Sequence, residues 1–148
     1  MRLTKFLFLL SFIQVLAQNT IQVKTLVKNF PANGAVTVDS EGNLFVNEYG
    51  TATSDISGSG NRIFKVDSNG EYTVFLNNVK GPVGGAFHKN GAFYFNNNSS
   101  YTDSKLMRYK DGNLEKIADI PGFAADLLIK ESTGDIIITN YTKPSLYI

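Results

Sequence analysis

No cysteine occurs among the 148 residues, so the fold must be held by core packing rather than by a disulfide framework. Charge of one sign is not in excess either, since 14 Lys and Arg stand against 13 Asp and Glu. Nucleic acids and anionic membranes select concentrated positive charge, and neither is an expected partner. Histidine occurs once, as His88, with no serine or cysteine partner at motif spacing, a poor basis for nucleophilic catalysis. Tryptophan is absent, and tyrosine and phenylalanine carry the aromatic content. After the first residues no apolar run is long enough to cross a bilayer and no stripe of period 3.6 appears, so the mature chain is expected to be nearly all β.

Met1–Ala17 has the layout of a cleavable export signal. Arg2 and Lys5 give the positive start, Phe6 to Leu16 the apolar run, and Val15-Leu16-Ala17 a small-residue cleavage site. The run is shorter than the roughly 18 to 20 residues of a membrane span and contains Ser11 and Gln14, which favours cleavage over anchoring. The expected location is therefore secreted or periplasmic, without membrane attachment, and residues 18–148 form the working part.

What the chain has in quantity is repetition. Val36–Asn47, Gly85–Asn96 and Leu127–Asn140 each read as an apolar stretch, a polar turn with glycine, and a second apolar stretch ending in an amide. Their turn glycines, Gly42, Gly91 and Gly134, are 49 and 43 residues apart, the length of a four-stranded propeller blade. A second hairpin recurs in phase, Arg62–Leu76 around Asn69-Gly70 and Lys105–Ala118 around Asp111-Gly112. Two hairpins per period make a blade. The expected fold is an all-β, partial β-propeller of about three blades: an outer strand at 21–28, blades at 35–76 and 83–118, and an incomplete blade at 126–148. Propellers take about four to eight blades to surround an axis. The expectation is thus a segment of a longer protein that needs its remaining blades, the alternative being two copies that exchange first strands to close a ring.

If strands run A to D from the axis outward, the A–B and C–D turns share one face and are short, while the B–C and D–A links share the other and vary. Function on repeated scaffolds sits on variable links, so the second face is where a site is expected. Strand B leaves onto it through Asn47-Glu48-Tyr49, Asn96-Asn97-Asn98 and Asn140-Tyr141. Oxygen-bearing side chains repeated around an axis suit a hard cation or sugar hydroxyls, although Asn and Asp also cap strand ends. Asp126 approaches this face, whereas Asp39 opens a short turn and reads as structural. Asp55–Asn61 has Ca²⁺-loop composition without EF-hand spacing, and Gly81–Gly85 resembles a phosphate loop but precedes a strand. Asn98-Ser99-Ser100 and Asn140-Tyr141-Thr142 match glycan acceptors.

Asn33–Asp39 with Gly42–Val46, and Gly60–Val66 with Gly81–Gly84, resemble the repeats of NHL-type and gluconolactonase-like six-bladed propellers, the superfamily that includes senescence marker protein and luciferin-regenerating enzyme. The resemblance covers the chain from about Ile21 onward. It implies two roles. Lactonases of the family use a divalent cation, usually Ca²⁺, held on the axis by Glu, Asn and Asp, and Asn33 and Asp126 are the positions that match such ligands here. Members without activity use the ring as a binding platform. The reading is a binding scaffold for a small molecule, sugar or protein through the loop-rich face, with a Ca²⁺-dependent lactonase or esterase as the alternative.

Overall fold

The computed structural model describes residues 23–51 and 58–148; the export signal and the centre of the loop after Gly50, including Asp55, lie outside the described residues. Eleven strands form three antiparallel sheets. The first contains β1 (Val36–Val38), β2 (Leu44–Asn47), β3 (Ile63–Val66) and β4 (Tyr72–Leu76). The second contains β5 (Gly85–Phe87), β6 (Phe93–Asn98), β7 (Asp103–Lys110) and β8 (Asn113–Pro121). The third contains β9 (Ala124–Ile129), β10 (Ile136–Asn140) and β11 (Leu146–Tyr147). Each sheet is a meander in chain order, as expected for blades, and the chain is a partial β-propeller.

The hairpins form where the sequence supplies a residue able to take positive φ. Gly42, Gly70, Gly91, Gly112 and Gly134 all lie between +82° and +85°. An aspartate opens the first two turns. Asp39 accepts from the N–H groups of Glu41 and Asn43, each at 2.9 Å, and Asp67 does the same for Asn69 and Glu71. Asp39 is therefore a turn residue, as its position in the repeat indicates.

Alternation then decides which side chains enter the interfaces between sheets. Thr37 donates its hydroxyl to the Gly85 carbonyl, so its side of the first sheet faces the second. Phe45, its register partner, meets Phe87 at 4.7 Å between ring centroids and Phe75 at 4.7 Å, both edge to face. Ile63, Leu76, Val79, Phe93 and Phe95 complete this core. Leu106, Ile120, Ala124, Leu127 and Ile138 fill the next, between the second and third sheets. Burying each large side chain contributes about 1.5–3 kcal/mol, which is how a chain without cross-links holds radial sheets together. Gly84 permits the inner strands to converge: a Cβ there would lie 2.6 Å from Asp126 Oδ1 and 2.7 Å from its Cα. The glycines of Gly81–Gly85 thus serve backbone approach.

The opposite side of the first sheet is also apolar. Two cross-strand rows, Val36-Val46-Phe64-Val74 and Val38-Leu44-Val66-Tyr72, form it. The centre of this face is covered by the segment before β1. Phe30 stands edge-on to Phe64 at 5.4 Å and to Tyr72 at 5.1 Å, and the Leu26 carbonyl lies where Gly70 would carry a side chain. This corrects one expectation: the outer strand placed at 21–28 is absent over its described part, 23–28. The sheets stack in chain order, so the edge such a strand would complete, at β11, is two sheets away. The segment buries Phe30 on the nearest apolar face instead.

Boundaries also move. The second sheet continues to Pro121 rather than 118, and the third begins at Ala124 rather than 126. A bulge at Leu106/Met107 lets β8 run longer against β7.

Candidate functional site

The five short hairpin turns lie at one end of the sheet stack, and the links from second to third strand and from sheet to sheet lie at the other. Along the inner strands β1, β5 and β9 runs a groove of about 1000 Å³ that opens among the short turns and is lined by Asp39, Lys65, His88, Asp126 and Glu131 among others. Its charges are mixed. His88 is held in its turn, with Nδ1 accepting from the Asn90 N–H.

At the loop-rich end lies a second cavity of about 420 Å³ with a different lining. Phe123, only 7% exposed, forms its floor. Tyr49, Tyr101 and Tyr141 surround it at centroid distances of 6.1, 5.6 and 6.1 Å. Each tyrosine comes from the link that follows the second strand of a different sheet. Phe123 is fixed by its backbone, donating its N–H to Thr142 Oγ1 at 2.9 Å and accepting from the Tyr141 N–H at 2.8 Å. The preceding Gly122 has φ +89° and no room for a side chain against Thr142 and Asn140. Burial pushes the Tyr49 phenol pKa up, and the neighbouring phenols of Tyr101 and Tyr141 push it further in the same direction. No Asp, Glu, Lys, Arg or His lines the cavity among the described residues.

The amides singled out in the sequence point elsewhere. Asn47 is buried and donates Nδ2 to the Val83 carbonyl, tying the first sheet to the link entering the second. Asn98, 1% exposed, donates to the carbonyls of Gly81 and Ala124 at 3.1 and 3.2 Å, and its Oδ1 meets the Ser104 hydroxyl. That burial is incompatible with glycan attachment in the folded chain. Asn97 accepts from the Lys80 N–H at 2.6 Å. Asn140 donates to the Pro121 carbonyl at 2.7 Å and accepts from the N–H groups of Thr142 and Lys143. Asn96 is fully enclosed, and among the described residues neither of its side-chain polar atoms has a hydrogen-bond partner. Glu48 is gripped by Arg62 at 2.6 and 2.9 Å, a pairing that holds its carboxyl below the usual range.

The two positions matched to a metal site do not meet. Asn33 lines the aromatic cavity, with its amide closed on Gly50 by two hydrogen bonds of 2.9 and 2.8 Å. Asp126 lines the groove and turns Oδ1 onto the Leu127 N–H at 2.9 Å. No group of three or more His, Cys, Asp or Glu gathers among the described residues. Ca²⁺ takes six to eight oxygens, and this donor set does not fit it.

Sequence reasoning reached Tyr49 and Tyr141 but missed Tyr101 and Phe123. The signal for Tyr101 was present as a tyrosine following every second strand. In the second repeat it is displaced beyond Asn98-Ser99-Ser100, which masked the correspondence.

No protein-family model matches the chain, and the curated proteins give no significant match. Among solved structures, a gluconolactonase from Xanthomonas campestris superposes with a TM-score of 0.51 at 15% identity, over 76% of this chain and 46% of that one. The chain thus spans about half of that enzyme's length. At this identity the likeness is one of fold alone, and it agrees with the contacts of the sheets through their inner strands β1, β5 and β9: the chain is a partial β-propeller.

Proposed function

We propose that the chain is an exported binding module that takes a small molecule in the aromatic cavity at its loop-rich end. The observation that carries this reading is the convergence of one tyrosine from each of three sheets on the buried ring of Phe123. Aromatic side chains gathered at a concave surface are the usual lining of small-molecule sites, and a volume of about 420 Å³ suits them. The leader-like Met1–Ala17 supports an exported setting.

The lactone-hydrolysing alternative draws only on the likeness of fold, since Asn33 and Asp126 occupy different cavities. Tyrosine emission provides a direct test, because no tryptophan masks it. A panel of small ring-bearing and branched apolar or cationic compounds is expected to contain ligands that quench emission of the parent chain. The Tyr101→Ala variant should lose that response while unfolding at the same temperature. Equal binding by parent and variant would refute the site.

A further inference from the structure

We infer that the ligand class of this cavity is an alkylated ammonium cation, of the trimethylammonium type, held by the faces of the surrounding rings. The inference rests on the binding reading above and specifies its chemistry. Four aromatic rings line the cavity, and among the described residues neither Lys, Arg, Asp nor Glu does. Ring faces carry negative quadrupole density, and a cation within about 6 Å of several of them is attracted to all. The three tyrosines pack on Phe123 at 5.6 to 6.1 Å between centroids, so that all four rings border the same cavity.

The competing ligand classes fit less well. A sugar must have its hydroxyls hydrogen-bonded as it leaves water, which requires several amide or carboxylate partners. Those groups are committed to the fold here: Asn33 to Gly50, Asn140 to Pro121 and Glu48 to Arg62. An anion meets no positive side chain among the described residues that line the cavity. A primary ammonium brings three N–H donors that each need an acceptor. A quaternary ammonium brings positive charge without N–H groups, so the rings alone satisfy it. Tyr141, 77% exposed, leaves one wall open for entry.

Choline and 3,3-dimethylbutan-1-ol, which share a shape and differ in charge, separate the possibilities when titrated into the whole chain by calorimetry. Choline is expected to bind at least tenfold more tightly than the neutral isostere. Tyr101→Ala and Tyr141→Ala should each abolish the difference, and Tyr101→Phe should retain it, because the ring carries the attraction. Equal binding of the two probes would overturn the cationic assignment while leaving an apolar site in place. Binding of neither probe, with other compounds of the panel still quenching tyrosine emission, would also overturn it. No response to any compound would remove the site and the assignment together.

Discussion

Two groups of side chains leave the second strands of the three sheets within a few residues of each other, and they do different work. The amides Asn47, Asn98 and Asn140 turn back and bond carbonyls of neighbouring segments, at Val83 and Gly81 in the link before β5 and at Pro121 at the end of β8. The tyrosines 49, 101 and 141 turn to the cavity and ring Phe123. The difference teaches that a repeated polar residue in a propeller is first a means of joining sheets. The chemistry available to a ligand is set by the residues just beyond, where the repeat loosens.

If that division holds, substitutions in the two groups should separate stability from binding. The largest loss is expected for Asn98→Leu, which removes the side-chain bonds to the Gly81 and Ala124 carbonyls and to the Ser104 hydroxyl at a buried position, Ser104 keeping only Gly122 and the Ala124 N–H. Urea unfolding should show about 3 kcal/mol of destabilisation. Asn47→Ala, with one hydrogen bond removed, should cost about 1–2 kcal/mol by the same measurement.

Glu48 lies between the two groups and supplies a pH test. Its folded pKa is lowered chiefly by the Arg62 hydrogen bond, so its contribution is present above the ordinary carboxylate pKa. As pH falls through the lowered folded value, that contribution is lost. Unfolding midpoints followed downward from neutral pH should therefore fall more steeply in the parent than in Glu48→Gln, and parallel curves would remove the pair from the account.

Tyr141→Ala should change stability by no more than about 0.5 kcal/mol, since the residue is largely exposed, yet weaken ligand binding. Asn96→Leu also belongs with the small changes in stability. Its amide atoms are enclosed and unpartnered, so replacement by an apolar side chain of similar size should leave the unfolding free energy within about 1 kcal/mol or raise it. A loss as large as that of Asn98→Leu would show that Asn96 is bonded in solution.

Legibility in the sequence followed the same division. The three sheets could be read because period-2 apolar runs and turn glycines such as Gly42 and Gly91 are local signals, each interpretable within a dozen residues. The direction of an amide side chain is not local. Asn98 is buried because Gly81 and Ala124, 17 and 26 residues away, both present carbonyls to it. Phe123 escaped notice for a similar reason: in sequence it is an apolar residue in a link, and only the approach of three sheets makes it a floor. The segment at 23–28 misled because Val23, Thr25 and Val27 alternate like a strand, while strand formation also needs an available edge.

The seat of Phe30 on the first sheet has a directional consequence. A further blade could dock on the third sheet over Leu128 and Leu146, which are 54% and 61% exposed. On the opposite flank the corresponding niche is already filled from within, and any newcomer would have to evict a phenylalanine held between Phe64 and Tyr72. The two flanks thus differ at the centre, where the first sheet carries the chain's own Phe30, while Val36, Val38 and Val74 leave the rest of that flank exposed.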